Sequence, residues 1–181
     1  MKNFIIVIMV SHFFTSCSAT MNQAVYDKES KTKILVGLSN RGGLQQEPFS
    51  VWFDKEYGAY ALNKEAVQVI KNDSENLSIM LFMGTWCGDS RREVPRIYRI
   101  LDAVNFDESR LTLINMDREK NSPNGEETGL NIHHVPTLIL YKNSSEIGRV
   151  IESPIQSLEE DMAAIINGER YTPNYSDFGA N

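Results

Sequence analysis

The spacing of apolar residues changes several times along this chain, and each change marks an element. Leu77 to Met83 is an apolar run of strand length, uniform enough to be covered on both faces. Beyond it, Val94, Ile97, Leu101 and Val104 recur at helical spacing, with Arg92, Arg96, Arg99 and Asp102 off that face. That pattern predicts a helix, with Pro95 inside it as a source of a kink. Leu111 to Met116 and Thr137 to Lys142 read as further strands. Asn143-Ser144-Ser145 is a turn, and the alternating Ile147 to Glu152 is its hairpin return. Asn63 caps a predicted helix running to about Lys71. Ser157 and Glu160 form a capping box for a last helix, buried through Leu158, Met162, Ile165 and Ile166 and ended by Gly168. The polar stretch from Asp117 through Gly125 reads as turns, with a short helix over Glu126–Leu130.

The N-terminal third is less regular. Phe49, Trp52, Phe53, Tyr57 and Tyr60 are expected to pack onto the core, and Ile34 to Gly37 reads as a short edge strand. Strands and helices alternate, which predicts an α/β fold: a mixed central sheet with helices on both faces, a three-layer sandwich.

The first residues change the picture. Lys2 precedes an unbroken apolar run, Phe4 to Val10, too short to span a bilayer and of the length of an export signal. Phe14-Thr15-Ser16-Cys17 resembles the lipobox of bacterial lipoproteins, in which the cysteine is acylated; Phe14 departs from the usual leucine. The alternative is an ordinary signal cleaved near Ser18-Ala19. The resulting organisation is a signal with lipobox over 1–17, a tether over 18–45, the folded domain with its N-terminal extension over 46–168 and a tail over 169–181. The expected setting is the cell envelope or periplasm, with a membrane contact through lipid on Cys17. The 181 residues carry a net charge of −6, which argues against nucleic acid as a partner.

There are two cysteines, Cys17 and Cys87. With Cys17 acylated, Cys87 is a lone exported thiol, either inert or kept for chemistry. It stands in Thr85-Trp86-Cys87-Gly88-Asp89-Ser90, between the apolar strand and the helix, where backbone N–H groups favour a thiolate. Arg91 and Arg92 in the first turn reinforce this, Asp89 opposes it, and the Ser90 hydroxyl is expected to donate to the thiolate. His133 and His134 raise a metal reading, but neighbours on an extended segment point to opposite sides, so no metal site and no cofactor are expected.

Over roughly residues 60–167 the chain resembles the thioredoxin superfamily. Trp86-Cys87-Gly88 matches the start of its active-site motif, Pro95 matches the proline of its active-site helix, and Val135-Pro136-Thr137 looks like its cis-proline loop. The resemblance implies a thioredoxin-like fold, thiol–disulfide chemistry at Cys87 with Trp86 as a packing lid, and main-chain contacts from Val135 and Pro136 to an extended substrate. Three departures stand out: Ser90 replaces the second cysteine, Asp89 a common proline, and Leu81 a buried acid that assists the second cysteine. Without a second thiol, turnover needs an external one. Two functions follow. One is monothiol exchange on exported protein or peptide thiols and disulfides, completed by an external thiol reductant. The other is a non-redox module that uses the fold to bind peptides or proteins.

Overall fold

The structure, a computed structural model, describes residues 20–177. Its strands are β1 (Ala24–Asp27), β2 (Thr32–Leu35), β3 (Gly37–Ser39), β4 (Leu77–Met83), β5 (Leu111–Asn115), β6 (Thr137–Lys142) and β7 (Ser145–Ile151). Its helices are α1 (Arg41–Leu44), α2 (Ser50–Ala59), α3 (Lys64–Asp73), α4 (Gly88–Ala103) and α5 (Leu158–Ile166).

The five-stranded sheet runs β3-β5-β4-β6-β7. Only the β4–β5 pair is parallel. The central strand β4 is the uniform apolar run, and pairing on both edges leaves its Leu81 opposite Leu113 and Leu138. Two caps form as the sequence predicts. Asn63 accepts from the N–H groups of Glu65 and Ala66, and Ser157 Oγ accepts from Glu160 N–H at 3.3 Å. Glu160 does not complete a box; its carboxylate accepts from Asn63 Nδ2 instead and ties α5 to α3. Asn143 and Ser144 both have positive φ, as a two-residue hairpin turn matched to strand twist requires.

The α/β, thioredoxin-like class holds, but the helices are distributed differently from the expected sandwich. All five helices contribute buried residues to one cluster, which includes Leu44, Phe53, Ile70, Ile97 and Met162 and meets the sheet through Ile79, Leu81, Leu113 and Leu138. The opposite face holds a smaller cluster of Phe82, Ile114, Met116, Ile132, Val135 and Ile139. No described helix reaches it. It is covered by residues 116–136, a run of turns in which the short helix predicted over Glu126–Leu130 does not form. Gly125 and Gly129 both have positive φ, which breaks a helical path there.

The stretch 18–45, read as a tether, is folded from Asn22 onward. Asn22 N–H donates to Leu38 O at 2.9 Å, and β1 and β2 form an antiparallel hairpin. The turn is built by Asp27, whose carboxylate accepts from Glu29 N–H and Ser30 N–H. The predicted edge strand over Ile34–Gly37 is split: Ile34 and Leu35 belong to the hairpin, while Gly37–Ser39 pairs with β5. The C-terminal tail is docked as well. Tyr171 Oη donates to Asp161 at 2.9 Å, Asn174 Nδ2 donates to Ser153 O at 2.9 Å, and the Tyr175 ring stacks on His134 with centroids 3.9 Å apart. Among the described residues no helix is long and apolar enough to cross a membrane. The signal, the lipobox and Cys17 lie outside the described residues.

Candidate active site

Four residues join β4 to α4, and their backbone turns the chain so that Cys87 becomes the N-cap of α4. Cys87 N–H donates to Gly84 O at 2.9 Å, while Cys87 O accepts the first helical bond from Arg91 N–H. The thiol is half-buried and caps nothing. Its Sγ–H instead donates to Val135 O at 3.2 Å, across the Val135–Pro136 peptide bond, which is cis. Cys87 and the Val135-Pro136 pair, 48 residues apart in the chain, therefore share one spot. A thiolate has no proton to give, so ionisation of Cys87 breaks this link and frees the Val135 carbonyl to accept from something else.

Trp86 lies beside the thiol and is held from several sides. Its Nε1–H donates to Met116 O at 2.9 Å, and its ring packs against Gly84, where an added Cβ would come within 2.6 Å of the indole. Only glycine permits that approach. The Arg118 guanidinium sits over the ring, 5.3 Å from its centroid.

Ser90 is brought to the site but turned away from its chemistry. It is fully buried, and its Oγ accepts from Gly84 N–H at 3.2 Å. The structure thus gives Ser90 a backbone partner at the end of β4 rather than the expected bond to Cys87. The first-turn arginines are also committed elsewhere. Arg91 Nε donates to Thr85 O at 2.6 Å, and Arg92 pairs with Asp89 at 2.7 Å and Glu93 at 2.5 Å. The Arg92 charge is thereby partly neutralised by the Asp89 and Glu93 carboxylates. Leu81 is completely buried among leucines, so no carboxylate stands behind the thiol on β4.

Two features escape sequence reasoning. Glu93, a buried carboxylate held by Arg92 and Arg96, lines a small gap against Pro136. Its signal was only its i,i+3 spacing to Arg96. The second is the hairpin. Arg118 donates to Asp27 from Nε at 3.1 Å and from Nη2 at 2.8 Å, and pairs with Glu29 through Nη1 at 2.9 Å. The Arg118 guanidinium holds the Asp27 carboxyl far below the usual carboxylate range. Alternating Val25 and Asp27 before a polar turn and Ile34-Leu35 was the available signal. Among the described residues no three His, Cys, Asp or Glu side chains converge as metal ligands would.

Comparison with known proteins places this geometry. The thioredoxin family model matches residues 59–164, more than half of the chain. A protein of unknown function from Pseudomonas aeruginosa shares 13% identity with it, over 66% of this chain and 72% of that one, with a TM-score of 0.43. Thioredoxin O1 from Arabidopsis thaliana, in an oxidized state, shares 25% identity over 55% of this chain and 85% of its own, with a TM-score of 0.37. Mitochondrial thioredoxin 3 from Saccharomyces cerevisiae shares 22% over 53% and 86%, with a TM-score of 0.32. No curated protein matches the chain. On the family match, with an N-cap cysteine facing a proline loop, the chain belongs to the thioredoxin family.

Proposed function

We propose that this protein carries out thiol–disulfide exchange through Cys87 alone, on exported proteins or peptides, with an external thiol finishing each cycle. In the first step the Cys87 thiolate attacks one sulfur of a substrate disulfide. A bond from Sγ to that sulfur forms, the substrate S–S bond breaks, and the second substrate sulfur leaves as a thiolate that takes up a proton. In the second step an external thiolate attacks the substrate sulfur of the mixed disulfide, forms a new disulfide bond with it, and displaces Cys87 as a thiolate ready for the next cycle. Ser90 cannot take that role, because a hydroxyl is neither acidic nor nucleophilic enough at sulfur.

The observation that carries this reading is the half-buried Cys87 thiol, 3.2 Å from the Val135 carbonyl. When the thiol ionises, that carbonyl becomes an acceptor for the backbone N–H of an extended substrate beside the nucleophile. The binding-module reading draws on a different observation, the filling of the resolving half of the site by Ser90 and Leu81. An export signal and a lipid on Cys17 complete the proposal, with the cell envelope as the setting of the site.

The test is a trap. Tagged protein and its Cys87→Ser variant are isolated from cells under non-reducing conditions and compared by mass spectrometry. Adducts that need Cys87 and dissolve in reductant support exchange. An unmodified thiol, with the same partners on both forms, supports the binding module. Loss of membrane association and of lipid labelling in Cys17→Ser checks the anchor.

A further inference from the structure

The hairpin lies outside the residues that the family model matches, yet it meets the active-site stretch twice. From behind, Leu35 N–H donates to the buried Thr85 Oγ1 at 3.0 Å, one residue before Trp86. From above, the Asp27 and Glu29 carboxylates grip Arg118 and set its guanidinium over the indole. Arg118 holds its place because three of its nitrogen atoms are engaged by the two carboxylates.

We propose that Asp27 and Arg118 are positioning residues for the exchange reaction: the hairpin uses them to fix Trp86 beside Cys87, as one wall against which an incoming disulfide docks. This rests on the exchange reading given above. The wall is rigid because the ring is engaged at three points: the N–H by Met116 O, the Cε2–Nε1 edge by the close approach of Gly84, and the π-system by Arg118. Releasing Arg118 frees the indole to swing on its Gly84 pivot and blurs the docking surface, while Cys87 and its helix stay as they are.

The experiment uses a Trp52→Phe background, so that Trp86 is the sole tryptophan. Three quantities are read in Arg118→Leu, Arg118→Lys and the Asp27→Asn/Glu29→Gln double variant: acrylamide quenching of Trp86, the rate of Cys87 with iodoacetamide, and the rate with a peptide disulfide. The Asp27→Asn change keeps a side-chain oxygen as acceptor for the turn, so the double variant retains the hairpin, and thermal melts verify this. Arg118→Leu is expected to raise quenching and to slow the peptide reaction by about two- to fivefold. The iodoacetamide rate, which needs no docking, stays constant. The double variant moves both quantities the same way, and Arg118→Lys falls between it and the parent. A folded Arg118→Leu with unchanged quenching overturns the proposal, as does raised quenching with an unchanged peptide rate. A parent that reacts with iodoacetamide but with no peptide disulfide overturns the exchange reading, and this inference with it.

Discussion

The two faces of the sheet do different work. One face carries all five helices and, among the described residues, 25 buried hydrophobic side chains in one cluster; the other carries six under a run of turns. Trp86 and Cys87 pack against the smaller cluster, and Val135 belongs to it. Burial of apolar area is the main source of stability, at roughly 25 cal/mol per Å². The helical face therefore holds the molecule together. The turn-covered face, less deeply packed, is where a proline loop, an indole and a thiol can be brought together from distant parts of the chain. The missing resolving machinery fits this division. Leu81 belongs to the helical cluster, so the place of a buried acid has become part of the structural core.

The division can be broken most severely at Cys87. Cys87→Ala is expected to abolish exchange with a peptide disulfide, leaving no measurable rate, while the melting temperature stays near that of the parent. A large loss of stability would mean that the thiol is structural. Next in size is Leu81→Ala, which opens a cavity in the helical cluster and is expected to cost about 2–5 kcal/mol in urea unfolding. The iodoacetamide rate at Cys87 stays unchanged under native conditions; a change would show that the two faces are coupled.

A pH series sharpens the comparison further. Burial pushes the Asp102 carboxyl up, but hydrogen bonds from Arg41 and Tyr57 outweigh it and hold the group below the usual range. A depressed folded value means stability that is present above the unfolded carboxylate range, near about 4, and lost as pH falls below it. The melting-temperature gap between the parent and Asp102→Asn is therefore expected to be constant from about pH 5 to 8 and to close below about pH 4. The smallest effect belongs to the tail. Tyr175→Ala removes the stack on His134, worth about 0.5–1.5 kcal/mol for an aromatic pair. It is expected to accelerate the peptide-disulfide reaction slightly, since the tail rests on His134, the residue before Val135. An unchanged rate would make the tail a passive strap.

The helical face was the legible one. Leu77 to Met83, the apolar stripe of α4 and the caps at Asn63 and Ser157 follow from periodicity and local hydrogen bonding, and each forms where the pattern puts it. Within the site, Trp86, Cys87 and Pro136 were legible as a motif. The partners of Ser90, Arg91 and Arg92 were not, because each side chain had several donors or acceptors in reach and tertiary packing chose among them. The hairpin was missed because Lys28, Glu29, Ser30 and Lys31 dilute the apolar signal of two four-residue strands. Its stability comes from the Asp27 turn and from Arg118, 91 residues away. Within residues 116–136 the turns over 117–125 form as expected, but the helix expected over Glu126–Leu130 does not, because the positive φ of Gly125 and Gly129 appears only in the folded backbone.

The early start of the folded structure also sets a length. Asn22 is already fastened to Leu38 and Asn40, so about five peptide links separate it from Cys17, roughly 18 Å at full stretch. With the acyl chain proposed on Cys17, part of that reach would be used in crossing the headgroups. So short a tether would then keep the domain close to the bilayer surface. Encounters would become a search in two dimensions, and partners held in the same leaflet would meet Cys87 far more often than those free in solution.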